Sequence, residues 1–429
     1  MKYVIKNVNL YQGKIDSQIQ PHSNVYFEDG IIVKIDQALE VAANYQVIDG
    51  TDKYLLPGLI NLHVHLFGSG KPSKVLGGQS QLQQMIIKAA STKVGTKVLD
   101  RILVKNVQDA LKSGVTTIRS VGDFFYRDVA LRDRIKKGEI SGPDLIVSGP
   151  AITVSGGHGD KTFAITGNTQ EELIACVNQN VEQGVDLIKI CITGGVMDAK
   201  VKGEPGEVKM SYEQAKWVCD AAHEKGMIVA SHTESPKGVE IAVDAGVDTI
   251  EHGSLFDEKI AHKCKVQNTA FVCTLSPALP LANFSPSLTK LDELCVYNSK
   301  VVLENMIDGV RKALGCYIPV GLGTDASCPY ATQYNMWREV CYFAKYLNVS
   351  NSFALYTATL QNAIILKMED KIGSIEVGKH ADMFMVKNDP LQDLKALKDV
   401  ELVVAKGKII DQCHIDKNAD IEQALDTLL

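Results

Sequence analysis

The chain has 429 residues, 45% hydrophobic and 22% charged, with a net charge of −6. That is enough for two domains, or for one large α/β barrel with an appended unit, in an ordinary globular protein. Lys and Arg form no run interleaved with aromatics, and no stretch approaches the ~18–20 consecutive apolar residues of a membrane span, so neither nucleic acid nor membrane is an expected partner.

The N-terminus, MKYVIKNVNLYQGKI, alternates like a strand and carries charges inside its apolar stretch, unlike a secretion signal. A cytoplasmic location is therefore expected, with the ten cysteines, none in a CxxC pair, as reduced core residues. Residues 1–56 hold short β-patterned runs (YVIKNVNLYQ, NVYFEDGIIVKID, YQVIDGTDKYLLP) separated by turn residues. The same character returns in residues 371–429, in GSIEVGKHADMFMVKN and VELVVAKGKIID. The two ends are expected to form one small β-sandwich, the second part carrying a C-terminal tail.

Residues 57–370 alternate short apolar runs with helix-like segments, the pattern of βα units around a parallel sheet. Eight runs stand out: GLINLHVHL, GVTTIRSVGD, DLIVSGP, VDLIKICIT, MIVASHT, GVDTIEHGS, FVCTLSP and IPVGLGTD. Between them, SYEQAKWVCDAAHEKG and SPKGVEIAVDAG repeat apolar positions at three and four and end in Gly, a common helix stop. Eight units predict a (β/α)8 TIM barrel. An open doubly wound sheet fits the same count, but no GxGxxG or GxxxxGK[ST] motif supports nucleotide binding.

In such a barrel the chemistry sits at the C-terminal strand ends. His63 and His65 close the first run and, one residue apart on a strand, share a face. Lys189 lies in the fourth run between two isoleucines, where an unpaired amine is costly. His232 is in the fifth, His252 in the sixth, and Asp325 ends the eighth. Any one of these has a plain structural reading, a hydrogen-bonded core histidine or a capping aspartate. Six at the ends of five strands converge on a single mouth and predict a site.

The ordered set, PGLINLHVH after a β unit, Lys189, His232, His252, GTDAS and the closing GSIEVGKHADMFMVKNDP, resembles the amidohydrolase superfamily of binuclear metal type over nearly the whole length. SGGHGD, with His158, and ITGGV after Lys189 narrow the resemblance to the prolidase-like or imidazolonepropionase-like branch. The resemblance implies that His63, His65 and Asp325 hold one divalent ion, His232 and His252 a second, and Lys189, as a carbamate, bridges them. Zinc suits such ligands best, with manganese, cobalt or iron as alternatives. Two ions ~3.5–4 Å apart would supply a bridging hydroxide at neutral pH. Asp325 would carry the proton from it to the leaving amine, and His158 would stabilise the oxyanion.

The implied activity is hydrolysis of a small-molecule amide or peptide bond, by a dipeptidase (Xaa-Pro dipeptidase-like), an N-acyl amino acid hydrolase or a carboxypeptidase-like enzyme. Rivals are a cyclic amide hydrolase, a deaminase and a noncatalytic metal- or ligand-binding barrel; a homo-oligomer is compatible with the sequence. Dipeptide-cleaving relatives carry a tyrosine two residues past the fifth-strand histidine, where this chain has Glu234. Glu234 is thus a candidate contact for a cationic substrate group, or an acidic residue opening the next helix. Three Gly- and Lys-containing loops, GSGKPSKVLGGQSQLQQM, SGGHGDKTFAITGN and GGVMDAKVKGEPGEVKM, are expected to shape substrate choice.

Overall fold

The computed structural model describes residues 1–73 and 81–429, without the side chains of residues 81–83. The first expected substrate loop therefore lies partly outside the described residues. Strands β1 (Lys2–Leu10), β2 (Gln20–Glu28), β3 (Ile31–Asp36), β4 (Gln46–Asp49) and β5 (Tyr54–Pro57) come from the N-terminal end. The middle supplies β6 (Leu59–Val64), β7 (Val115–Ser120), β8 (Asp144–Val147), β9 (Ala151–Thr153), β10 (Ala164–Thr166), β11 (Ile188–Cys191), β12 (Val229–Thr233), β13 (Thr249–His252), β14 (Ala270–Cys273) and β15 (Val320–Leu322). The C-terminal end adds β16 (Met383–Val386), β17 (Val400–Ala405) and β18 (Lys408–Ile410).

The two ends of the chain share one sheet, in the order β18-β17-β16-β5-β1-β2-β3, with β4 also paired to β1. Strands β5 and β16 join the ends antiparallel, Leu56 opposite Phe384 and Leu55 opposite Met385. The two-residue period then divides their side chains between two cores. Leu55, Met383 and Met385 enter the sheet's own core with Ile5, Val25 and Phe27. Leu56, Phe384 and Val386 turn to the large core of the middle segment.

The middle strands are parallel throughout, in the orders β6-β7-β8 and β10-β9-β11-β12-β13-β14-β15. Every residue of β6, β7, β11, β12 and β13 is buried, as near-continuous apolar runs require of a parallel sheet covered by helices. The eight expected runs fall on β6, β7, β8, β11, β12, β13, β14 and β15. Strands β9 and β10 are additional: within SGGHGDKTFAITGN, read as a loop, residues 164–166 pair with 151–153. Three residues are too few for alternation to register.

Hydrogen bonds cross both gaps between these sheets. The Val147 carbonyl accepts from the Asp186 amide at 2.7 Å. On the other side the His63 carbonyl accepts from the Thr324 and Asp325 amides at 3.2 and 2.8 Å, and the Ala326 carbonyl from His65 at 3.0 Å. Asn61, two residues before His63, adds side-chain bonds to the Thr324 hydroxyl at 2.8 Å and amide at 3.0 Å. The helices begin where the sequence offers caps: Ser211 and Gln214 form a reciprocal capping box, and Ser235 caps the helix Pro236–Ala245, which stops at Gly246 with φ 94°. Among the described residues no helix is long and apolar enough to cross a membrane.

Candidate active site

Strand alternation and the C-terminal ends of the parallel strands bring all six candidate ligands together. The Asp325 Oδ1 lies 3.4 Å from His63 Nε2 and 3.3 Å from His65 Nε2. The His252 ring is centred 4.8 Å from that of His63 and 4.7 Å from that of His232. Ligand atoms of His63, His252 and Asp325 lie within 4.8 Å of one another, as do those of His232, Glu234 and His252. His252 thus stands between the two groups, whereas the resemblance pairs it with His232 alone. Lys189 is 2% exposed, and its Nζ has no hydrogen-bond partner among the described residues; the same is true of His232 Nε2.

The histidines are aimed from behind. The Nδ1 of His63 bonds Glu251 Oε2 at 2.7 Å, that of His65 bonds the Gly122 carbonyl at 2.6 Å, and that of His252 bonds the Thr274 hydroxyl at 2.8 Å. With Nδ1 engaged, each ring turns Nε2 inward, which is how proteins orient imidazole toward a metal. The separations at Asp325 agree: two ligands each ~2.1 Å from a tetrahedral ion lie ~3.4 Å apart, longer than a good hydrogen bond. Convergent nitrogens, a buried carboxylate and an orphaned amine make a donor set that fits divalent ions.

Two residues missed by sequence reading, Glu251 and Arg119, organise this outer layer. Both are fully buried. Glu251 Oε1 accepts from Arg119 Nη2 at 2.7 Å and from the Thr249 hydroxyl at 2.6 Å, and Arg119 Nε donates to the Leu62 carbonyl at 2.6 Å. The signal that exposed Lys189, a charge inside an apolar strand run, is equally present in TTIRSV and TIEHGS.

Burial lowers the pKa of Lys189, with Arg119 acting in the same sense against Glu251 and Asp325. Burial also pushes His232 and His252 well below the usual histidine value, keeping them neutral as ligands must be. Asp325 behaves oppositely: burial acts to raise it, but His63 and His65 hold it well below the usual carboxylate range. The Cys328 thiol, pushed far up by burial and by Asp325, remains a neutral donor to Asp325 Oδ2 at 3.3 Å, which argues against a nucleophilic cysteine. His252 and Asp325 have positive φ, 67° and 48°, conformations that cost non-glycine residues about 1–3 kcal/mol and cluster at working sites.

Close approach at the seam depends on Gly323. A Cβ there would stand 2.4 Å from His63 Cβ and 2.6 Å from its amide nitrogen. Gly323→Ala is expected to destabilise the fold by about 1–3 kcal/mol and to reduce bound metal, measured by thermal unfolding and elemental analysis of the same preparation.

His158 and Glu234 also reach the cavity, which measures about 550 Å³ and includes all six ligand candidates in its lining. The His158 ring stacks on His232 at 4.1 Å, and its Nδ1 bonds Asp198 Oδ2 at 2.5 Å. Burial opposes the charged form of His158, but Asp198 outweighs it and raises the pKa. Glu234 does not cap the following helix, a task Ser235 performs; it is 9% exposed, with Oε2 unpartnered among the described residues. Burial raises it to about 8, with Asp325 and Asp198 adding to the shift against His158. In the third expected loop, Lys209 pairs with Glu207 and Lys202 lies over Tyr297, and neither lysine is part of the described lining. A separate group, Asp144, His380 and Asp382, is tied to Lys406, which ion-pairs with Asp144 and whose amide donates to Asp382 at 2.6 Å, while His380 Nδ1 and Asp382 Oδ2 have no hydrogen-bond partner among the described residues.

The sequence profile described as the amidohydrolase family matches residues 54–410. A solved structure from Bifidobacterium longum, provisionally assigned as a prolidase, is 35% identical with a TM-score of 0.87, covering 99% of this chain and 98% of that one. The structure of a Xaa-Pro dipeptidase with methionine bound in its active site is 29% identical with a TM-score of 0.82, covering 96% and 100%. Ochratoxinase from Aspergillus niger is 22% identical over 376 residues, 81% of this chain and 73% of that protein. With a profile spanning most of its length and a relative above 30% identity over nearly all of it, this chain belongs to the amidohydrolase family.

Proposed function

We propose that the protein is a binuclear metal-dependent hydrolase of a small-molecule amide or peptide bond, with dipeptides and N-acyl amino acids as its substrate class. One observation carries the reading: three histidines from two strands are fixed at Nδ1 by outer partners, two of them facing a buried carboxylate through Nε2, in a cavity that also holds a buried lysine without a partner among the described residues. The provisional prolidase and the Xaa-Pro dipeptidase among the similar structures support the bond class. His63, His65 and Asp325 would hold one ion, His232 and His252 the other, zinc suiting both. Lys189, its charged form disfavoured by burial, would give up its ammonium proton, add CO2 through a new N–C bond, lose a second proton and become a carbamate shared by the two ions.

When bound, the ions would acidify a water and polarise the scissile carbonyl. The chain's own residues do the rest. The Asp325 carboxylate, ionised and steadied at Oδ2 by Cys328, takes a proton and returns it to the leaving amine. His158, committed to Asp198 through Nδ1, has Nε2 left to donate to the carbonyl oxygen as charge develops there. Glu234, raised to about 8 and mostly protonated at neutral pH in the empty site, would ionise as a cationic substrate group docks beside it.

The seam hydrogen bonds support a closed (β/α)8 barrel over residues 57–370, with residues 1–56 and 371–429 as one discontinuous β-sandwich unit. Ten unpaired cysteines support a reducing, cytoplasmic setting.

Metal analysis is expected to find about two ions per chain. Chelation is expected to abolish hydrolysis across a library of dipeptides and N-acyl amino acids, and zinc to restore it. Full activity in a metal-free preparation refutes the proposal. A single ion with an unmodified lysine, read from elemental analysis and intact mass, would instead favour the deaminase rival.

A further inference from the structure

The cavity lining is not uniform: it holds the candidate ligands and other polar groups, among them Asp160 and Ser299, but one helical hairpin adds only apolar residues and a glycine among the described residues. The candidate ligands lie at the strand ends, with Glu234 just past β12 and Asp198 on the loop after β11, while part of the wall comes from the helices Gln81–Ala90 and Lys93–Lys112, joined by two residues. Every described lining residue contributed by this hairpin is apolar or glycine. The second helix already buries one apolar face, with Leu99, Leu103 and Val107 in the main core. It carries a further stripe, Val94, Val98 and Ile102, at the four-residue spacing that stacks side chains along one helix face. That stripe lacks cover among the described residues: Val98 is 49% and Ile102 38% exposed, and Ile86 on the partner helix is 50% exposed. All three line the cavity.

The inner continuation is aromatic. Phe67 packs on Phe124 at 4.6 Å and on the candidate ligand His65 at 5.5 Å. Phe163 lies 5.2 Å from His65 and 5.5 Å from His158. One cavity is therefore lined both by half-exposed aliphatics of the hairpin and by rings packed against candidate ligands. A cavity of about 550 Å³ is in the range of sites that enclose a drug-sized ligand, and contiguous apolar surface left open on a folded chain marks something to be bound.

We infer that the hairpin and the phenylalanines form a specificity pocket for a large aromatic or long aliphatic group flanking the scissile amide, so that the enzyme selects hydrophobic amides over small polar dipeptides. This rests on the hydrolase reading given above. Ile102, Val98 and Phe163 are its specificity-determining residues. Glu234 and the ligand cluster then act on the polar end of the same substrate while the hairpin holds the apolar end.

The test uses the metal-loaded full chain and two matched amide series, one varying the acyl side and one the amine side from methyl to phenylpropyl. In one series kcat/KM is expected to rise by about 30-fold or more with apolar size. Ile102→Asp, at a half-exposed position, is expected to collapse that ratio toward one, and Val98→Ala to reduce it partly. A separate calorimetric arm uses 4-phenyl-1-butanol, which has no cleavable bond, and is expected to show at least about tenfold weaker binding to Ile102→Asp than to the unaltered protein. Flat series, or a size ratio unchanged in Ile102→Asp, overturn the pocket. If no amide is hydrolysed but the alcohol still discriminates the two proteins, the hydrolase reading fails and the pocket stands.

Discussion

Asp325→Asn is expected to lower kcat by about 10³-fold, the scale of losing a positioned general acid–base group, while the protein still folds. Asparagine has almost the same shape, and the backbone bond from the residue-325 amide to the His63 carbonyl, 2.8 Å in this structure, does not involve the side chain. What disappears is charge. Asp325 Oδ1 faces both His63 and His65, and the carboxylate is held well below the ordinary range, so at neutral pH it is an anion able to bind metal and accept a proton. A carboxamide does neither well. Steady-state kinetics with elemental analysis on the same sample separates the two losses: metal retained with kcat down assigns proton transfer, and metal lost in parallel assigns ligation. A variant within tenfold of the unaltered enzyme contradicts both roles.

How much of this was legible in the sequence depended on whether a residue's position was set by local geometry. His63 and His65 were readable because a two-residue period puts both on one face, and Lys189 because a charge between Ile188 and Ile190 contradicts its surroundings. The eight parallel strands were readable because strands covered on both faces must be continuously apolar. Asp198 was not. It meets His158 across forty residues through two loops, and loop spacing carries no face or period from which a contact follows. Strands β9 and β10 were too short to alternate visibly, and the apolar hairpin wall could not be assigned to the cavity before the helices were placed. Glu251 and Arg119 differ again, since their signal was present. Each is a charged residue in a buried strand, and the two satisfy one another only in three dimensions, through neighbours in β6, β7 and β13.

Glu251→Gln is expected to weaken metal binding about 10–100-fold and to destabilise the protein by about 3–5 kcal/mol. The glutamate accepts at both oxygens, Oε1 from Arg119 and Thr249 and Oε2 from His63. Glutamine has one acceptor and one donor end, so whichever way it turns, an N–H faces either the guanidinium or the imidazole. One buried partner is left unsatisfied, and the Arg119 charge loses its counter-ion where no water reaches it. The pH dependence has a definite sign. Burial acts to raise Glu251, but Arg119, His63 and Lys189 depress it far below the free carboxylate. Its contribution is complete above the unfolded carboxylate pKa and is lost only as pH falls through the depressed folded value, so the stability gap between the two proteins should stay constant from about pH 8 to about pH 5.

A double variant, Glu251→Leu with Arg119→Leu, separates structure from positioning. Replacing a buried ion pair by apolar side chains removes both desolvation penalties and is expected to recover much of the lost stability. It cannot fix the tautomer of His63, because nothing then accepts from Nδ1. Recovered melting temperature with metal affinity still reduced identifies Glu251 as a positioning residue acting through His63. Recovery of both together reduces the Glu251–Arg119 pair to a structural tie between strands.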